Sequence, residues 1–563
     1  MNNFFKAIFA KELTKLKLPL SKAEILNLIE FPADSSMGDV AFPCFRLSKT
    51  FQKPPHIIAN DICASLQKKQ LPQFRAIEAK GGYVNAFFDT EKTLPVFCSN
   101  VAGNTKLMGE KFDPAGKLAL IEHTSINPNA SPHIGRARNA LIGDSIKRLL
   151  LFLGYKTEVH YFVNDIGKQI SLLVRSVKGK KNLAFKDMLD LYIKANEELE
   201  NNPQIGAEVL EQLNKLENGN KDVLANFKKV VTVCINGIKE IMAKLGIEYD
   251  RFVWESDFIV SGETTKVLEK LKKHKEFFTD EEQRYVVNLE KYKINGNNPY
   301  LPLTRADKTS LYPLRDICYA TSKAKQKTFK NIIVLGEDQK LYGRQINACL
   351  DILGEAPQEI VNYSFVLLPT GKMSTRQGNV VLLEDFMDEL VLKANEQIKS
   401  RTGAEDLKLA KILGYGALKY CILKSSNDKN VLFDLNEAVS FEGDTSLYIQ
   451  YAYSRICSLL QGIKLHDSCD FALLAHPREW ELCLHLSRFT QILDSIQSNY
   501  NFSSLANYVY QLAQKFSKWY NECPISKNVD GELKNARLWL ANIIKDNIKN
   551  CLYILGIEVS EKI

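Results

Sequence analysis

An apolar run, Leu118-Ala119-Leu120-Ile121, is followed by a short stretch rich in Asn, Pro and small residues. It then gives way to His133-Ile134-Gly135-Arg136 and a helix-patterned segment from Ala137 to Leu151. A strand that feeds a helix N-terminus through small residues builds an anion pocket, because the first N–H groups of the helix are unpaired and the helix dipole is positive there. That connection commits the chain to an α/β fold, with ligand expected at the end of a parallel strand. A second segment, Lys372-Met373-Ser374-Thr375-Arg376, follows another apolar run, Tyr363 to Leu368. It offers two cations and two hydroxyls on what reads as a loop, with Gly371 before it and Gly378 after it, a pattern suited to closing over a ligand.

The 563 residues suggest roughly three to five domains at about 100–200 residues each. Residues 1–110 read as a small mixed domain, with turns at Gly38-Asp39 and Gly81-Gly82 and a strand over Tyr83–Phe88. Residues 111–385 read as the catalytic half. Within it a charged stretch, about 180–245, has Leu and Ile at helical spacing and reads as a helical insertion. Strand patterns resume at Tyr285–Leu289 and continue through Ile332–Leu335, which predicts a parallel sheet holding both. Residues 386–439 read as a helical stem, with Glu384–Ile398 its clearest helix, and 440–563 as an all-helical domain with aromatic residues among basic ones.

The net charge of +8 permits a polyanionic partner without demanding one. Twelve cysteines without a C-x-x-C pair point to reduced thiols in the cytoplasm rather than a zinc site. Met1–Leu13 is amphipathic and broken by Lys6, Lys11 and Glu12, unlike a signal peptide. No apolar run approaches the ~20 residues of a membrane helix, so no membrane partner is expected.

The block Ile121 to Asn139, with Asn127-Pro128 and His133-Ile134-Gly135, resembles the HIGH region of arginyl-tRNA synthetases, and Lys372–Arg376 resembles their KMSKS loop. Further blocks follow in family order. Tyr161–Gln169 is similar to Y-x-N-D-x-G-x-Q, Tyr312–Asp316 to Y-x-x-R-D, and Val334–Gln339 to V-x-G-x-D-Q. Tyr448–Ile456 resembles the start of the family's helical anticodon-binding domain, and Gly38-Asp39 with Gly82–Phe87 its added N-terminal domain. Two positions depart from the pattern. Arg136 replaces the second HIGH histidine, and Thr375 the second KMSKS lysine, with Arg376 next to it. Cationic Arg136 remains a chemically suitable phosphate partner.

The resemblance implies a Rossmann-like catalytic domain with a helical insertion, an added α+β domain and an all-α anticodon-binding domain. It implies arginine–tRNA ligase activity in two steps, from ATP and L-arginine to tRNA(Arg), with Mg2+ carried by ATP and no dedicated metal site, in a monomer. Activation of the amino acid generally requires bound tRNA in this family. His133, Gly135, Arg136, Lys372, Met373, Ser374 and Arg376 would be the catalytic set, of which His133, Gly135, Arg136, Lys372 and Ser374 hold ATP. A guanidinium calls for carboxylates, and Asp316 with Tyr312 four residues earlier on one helix face is the leading candidate. The resemblance adds Glu122, Ser125, Asn127, Glu255 and Gln339 to the arginine set. Tyr448, Gln450, Tyr451, Tyr453 and Arg455 would meet tRNA.

Plainer readings stand beside these. His133 could cap a helix, Asp316 could pair with Arg315, Glu255 could be an ordinary carboxylate at a strand end, and the C-terminal tyrosines could pack a core. Two rival functions are another class I synthetase or adenylate-forming ligase, and a catalytically altered paralogue that binds RNA or protein, for which Arg136 and Thr375 speak.

Overall fold

The structure is a computed structural model that describes residues 3–180, 183–294, 299–367, 381–466, 469–525 and 531–563. The N-terminal part opens with the helix Phe4–Thr14, whose first turn is capped by the Asn3 side chain accepting from the Lys6 N–H. Three strands follow: β1 (Val40–Pro43), β2 (Phe74–Lys80) and β3 (Tyr83–Phe88). They form an antiparallel sheet in the order β1-β3-β2. Gly81 and Gly82 turn the β2–β3 hairpin with positive φ of 59° and 87°, a conformation that costs glycine nothing. The helix Pro55–Gln67 covers this sheet with Ile58, Ile62 and Leu66 buried.

The catalytic half carries β4 (Leu118–Glu122), β5 (Lys156–Val163) and β6 (Arg251–Trp254), then β7 (Phe277–Thr279), β8 (Tyr285–Asn288), β9 (Tyr300–Pro302), β10 (Lys330–Gly336) and β11 (Glu359–Tyr363). Five of these make a parallel sheet in the order β11-β10-β4-β5-β6, with Ile121 registered on Ile332 and Glu122 on His160. The apolar run at 118–121 forms the middle strand and is buried almost throughout, as a strand covered on both faces must be. From β4 the chain winds outward through β5 and β6, then returns to the other side of β4 as β10. The gap between the carboxyl ends of β4 and β10 is therefore the topological switch point, where open α/β sheets bind ligands.

The expected place of Tyr285–Leu289 is corrected here. Tyr285–Asn288 is β8, the centre of a separate antiparallel sheet, β7-β8-β9. A short β-branched run looks the same in either kind of sheet, and only its antiparallel pairing with β7 and β9 decides it.

The insertion consists of the helices Met188–Asn201, Pro203–Glu217 and Lys221–Lys244, preceded by Lys168–Ser176, which packs on them. The described part of the apolar run, Tyr363–Leu367, splits into the end of β11 and β12 (Val366–Leu367), and β12 pairs in parallel with β13 (Val431–Leu432) of the stem. Two stem helices, Leu383–Thr402 and Leu407–Leu423, lead to the C-terminal helices Ser446–Leu460, Pro477–Leu486, Phe489–Asn499, Ser503–Glu522 and Gly531–Ile554. The last of these packs against Ile134–Phe152, the helix that follows β4. The N-terminal part reaches the same C-terminal bundle: Phe5 and Trp480 meet edge to face at 5.1 Å, and the Trp480 indole N–H donates to Asp39 at 2.9 Å. Among the described residues no helix is long and apolar enough to cross a membrane.

Candidate active site at the sheet switch point

The switch-point crevice is built from strained and tightly tied backbone. Directly after β4, Thr124 and Ser125 both adopt positive φ, 71° and 39°. A β-branched residue rarely accepts this, and such strain persists only where surroundings impose it. Here the Thr124 N–H donates to the Asn139 side chain, whose amide in turn donates to Val334 O of β10 at 2.8 Å. Tyr249 donates its hydroxyl to Thr124 Oγ1 at 2.8 Å. Gly143 lets the helix lie against this turn, since a Cβ there would sit 2.2 Å from the His123 ring. Arg138, fully buried, donates to the carbonyls of Ser364, Ser426 and Lys429 at 2.7–2.8 Å and so fixes the same helix to the stem.

His133 is the N-cap of the helix Ile134–Phe152, and its Nδ1 accepts the Gly135 N–H at 3.1 Å. The helix-capping reading is thus correct as far as it goes, and it fixes the tautomer. An accepting nitrogen carries no proton, so the ring proton of the neutral imidazole is on Nε2. Burial, with help from the Arg136 charge, holds the pKa down at about 4, so the ring is neutral at pH 7. Nε2–H is then a donor at the mouth of a helix N-terminus, with exposed Arg136 beside it. Lys372, Met373, Ser374, Thr375 and Arg376 lie outside the described residues. After that segment, however, the chain re-emerges against His133: Leu382 bridges His133, Ile134 N–H donates to Val381 O at 3.2 Å, and Leu383 N–H to Pro132 O at 2.9 Å.

Across the crevice stands the helix Tyr312–Ala324, started by Pro313 in its first turn. The partnership of Arg315 with Asp316 is not observed. Arg315, buried, pairs instead with Glu255, Nε to Oε1 at 2.5 Å, and lies 4.0 Å from Glu217 of the insertion. The Asn164 amide nitrogen, in the orientation that satisfies its neighbours, is 2.8 Å from Glu255 Oε2. Both oxygens of Glu255 are therefore engaged, and burial with the nearby Asp316 charge raises its carboxyl to about 7 against the pull of Arg315. Glu122 is likewise spent: it is buried and ion-paired to Lys323 on the same helix. These two members of the expected arginine set serve the site's internal cations.

Asp316 is different. Among the described residues its one side-chain partner is the Tyr342 hydroxyl, and no cation lies within ion-pair distance. Burial raises its carboxyl to about 6, with Glu122 adding to the shift and the Tyr342 hydroxyl opposing it. Tyr342 also packs on Tyr312 with ring centres 5.2 Å apart, and Tyr312 leaves more than half its surface open. Gln339 is exposed at the end of the turn after β10, three residues before Tyr342. Ser125 Oγ accepts the Phe162 N–H at 3.3 Å, and Phe162 stacks on Tyr319 of the Asp316 helix at 4.7 Å. Exposed Asn127 donates to Gln169 at 3.2 Å.

The residues expected at tRNA divide. Gln450 and Tyr453 are buried in the C-terminal bundle, with Gln450 bonded to Ser446, so packing explains both and they are withdrawn as surface contacts. Tyr451 is exposed, Tyr448 is half-buried against Tyr510, and the Arg455 guanidinium lies 4.3 Å from the Tyr520 ring centre. Sequence reasoning missed Tyr342, Glu217, Thr124 and Tyr249. Only Tyr342 carried a usable signal, three residues beyond the Val334–Gln339 block.

Residues 100–435 match the family model for the class I tRNA synthetase catalytic domain of arginine type, 449–563 the DALR anticodon binding domain, and 3–88 the arginyl tRNA synthetase N-terminal domain. A Methanocaldococcus jannaschii arginine–tRNA ligase is 34% identical over 99% of this chain and 98% of its own. The chain belongs to the arginyl-tRNA synthetase family. A second family member, the arginine–tRNA ligase of Methanothermobacter thermautotrophicus, is 34% identical over 95% of this chain and 94% of its own. The fold agrees with solved arginyl-tRNA synthetases from Thermus thermophilus (TM-score 0.82, 23% identity, 99% of each chain) and Plasmodium falciparum (0.80, 21%, all of each chain).

Proposed function

We propose that this synthetase activates L-arginine with ATP at the β4/β10 switch point and transfers it to the 3′ end of tRNA(Arg). The observation that carries the reading is Asp316, a half-buried carboxylate with a raised pKa and, among the described residues, no cation within ion-pair distance. A substrate guanidinium supplies the missing charge with planar donors matched to a carboxylate. Tyr342 and, through it, Tyr312 stand beside Asp316, and we assign Gln339, Ser125 and Asn127 to the same substrate. Glu255 and Glu122 hold Arg315 and Lys323, so that neither cation takes Asp316.

With the guanidinium so anchored, the arginine carboxylate attacks the α-phosphate of ATP. The bond to the bridging oxygen breaks, and pyrophosphate leaves with arginyl-adenylate retained. Little covalent help is needed from the protein; positioning and charge neutralisation carry the step. His133 Nε2–H meets phosphate oxygens at the positive end of the helix, where Gly135 adds no side chain in their way, with Arg136 as a nearby cation. We assign Lys372, Ser374 and Arg376 to the same phosphates, supported by the return of the chain at Val381–Leu383 beside His133. Magnesium is assigned to the ATP phosphates, whose oxygens are the ligands a hard cation prefers. In the second step a ribose hydroxyl of the tRNA attacks the arginyl carbonyl and AMP leaves. Tyr448, Tyr451 and Arg455 are assigned to the tRNA side. All twelve cysteines are free thiols, which supports a reducing compartment such as the cytoplasm, and we assign the protein as a monomer.

The test is tRNA charging with a panel of amino acids. Arginine alone should be esterified to tRNA(Arg). Charging with another amino acid, or none with any, would overturn the assignment.

A further inference from the structure

A cavity of about 630 Å3 opens where the catalytic domain, the insertion, the stem and the chain's last residues converge. None of its lining residues belongs to the site described above. Six cations line it: Arg148, Lys244, Lys408, Lys411, Lys419 and Lys549. Arg148 is paired with Asp144 at 2.5 Å and Lys244 with Glu384 at 2.6 Å. The other four have no carboxylate within 4.0 Å among the described residues, and Glu558, exposed, is the one acid in the lining. Six cations thus face three carboxylates.

Lys419 is the telling member. It leaves 6% of its surface open, and its ammonium donates to a single backbone carbonyl, that of Gly556. Gly556 is itself constrained, with φ at 69° and the place of a Cβ only 3.0 Å from Asp144 Oδ2, so this carbonyl is built into the wall. An ammonium has three donors, and a buried cation is ordinarily paired. Asp144, the acid that pulls on it most, gives Oδ2 to Arg148 and lies beyond ion-pair distance of the Lys419 ammonium, with its Oδ1 unpartnered among the described residues. Burial lowers the Lys419 pKa to about 8, against the pull of Asp144 and Glu558. The apolar surfaces of Ile412, Tyr415 and Tyr553 complete the walls and keep the local dielectric low.

We propose that this cavity binds a multiply charged phosphate ligand, with Lys419 at its base and Lys408, Lys411 and Lys549 at its mouth. The phosphates can belong to a free phosphorylated small molecule or to an RNA backbone. The chemistry is the same, and the experiment separates the two.

The test titrates the full chain with tripolyphosphate by calorimetry, with saturating arginine and a non-hydrolysable ATP analogue filling the proposed active site. Two variants are compared with the parent: K408A/K411A/K549A, whose side chains are exposed, and K419M. Tripolyphosphate should bind the parent, more weakly as salt rises. The triple variant should raise Kd at least tenfold, and K419M should lose the rise in Tm that tripolyphosphate gives the parent. Binding of tRNA(Arg) to the triple variant then names the source. A parallel tenfold loss assigns an RNA backbone, and unchanged tRNA binding assigns a free ligand. No binding to the parent, or a triple variant within twofold of it, would overturn the proposal. The triple variant keeps the test decisive if K419M fails to fold.

Discussion

At the scale of residues, two groups define the site by what they lack. His133 has its Nδ1 occupied by Gly135, so only Nε2–H is left to give. Replacing His133 with Ala should lower kcat for adenylate formation by about 10²–10³-fold, as loss of a donor aimed at developing charge does. Single-turnover adenylate formation measures it, and an unchanged rate would remove His133 from the reaction. Asp316 lacks a paired cation among the described residues, and its carboxyl is raised to about 6 by burial. The charged form is the one that pairs with guanidinium, so the arginine KM should be flat above about pH 6 and climb as pH falls below it. Bound arginine favours the charged form and should shift that midpoint downward. Both residues were legible because each sits inside a contiguous block. Tyr342 and Thr124 were not: one reaches Asp316 from the next helix, and the other acts through a backbone angle that no side-chain pattern encodes.

At the scale of elements, the insertion supports the helix that carries Tyr312 and Asp316, the proposed arginine-reading residues. Glu217, at the end of the helix Pro203–Glu217, accepts from the Ser310 N–H at 2.5 Å and from Arg305 at 3.0 Å, and lies 4.0 Å from Arg315. Ser310 O in turn accepts from Arg315 at 2.8 Å, just ahead of the helix that carries Tyr312 and Asp316. The insertion thereby sets where that helix begins. Glu217→Gln should raise the arginine KM about tenfold, the effect of roughly 1.4 kcal/mol lost from a buried ionic network, while the KM for ATP holds. Equal changes in both would mean general loosening instead. Periodicity located the insertion's helices well, because Leu and Ile recur there on one face of each. It could not place β8, since alternation is the same whether a strand's neighbours run parallel or antiparallel. The partners of Glu217 were out of reach for a similar reason: its ion pairs span nearly a hundred residues of sequence.

At the scale of the whole molecule, the chain's end and its catalytic helix are one packed unit. Phe152 meets Phe489 at 6.1 Å and Tyr553 at 6.5 Å, and the Arg148 guanidinium lies 5.6 Å from the Tyr553 ring centre. A change of position in the C-terminal bundle would therefore bear on the helix that His133 begins, a physical route for the tRNA-dependent activation that the sequence resemblance implies. Binding of tRNA should weaken steadily with salt as phosphate contacts release counterions, and Arg455→Ala should flatten that slope by roughly one phosphate's worth if Arg455 meets the backbone. An unchanged slope would return Arg455 to its stacking role on Tyr520. The three-part architecture was legible from composition and blocks alone. The docking of N-terminal and C-terminal parts through Phe5, Asp39 and Trp480 was not, because contacts between domains leave no periodic trace.

Asp316 is proposed to read the guanidinium in the crevice where ATP activates arginine. The most direct measurement is arginine-dependent pyrophosphate exchange, with tRNA(Arg) present, for the parent and Asp316→Asn from pH 5 to 8. The substitution keeps size and removes the charge that answers a buried cation, at a cost of about 2–5 kcal/mol. The account requires a correspondingly large loss in kcat/KM for arginine, an unchanged KM for ATP, and disappearance of the parent's rise in arginine KM below about pH 6. An arginine KM in Asp316→Asn equal to the parent's, with the same pH dependence, would contradict it.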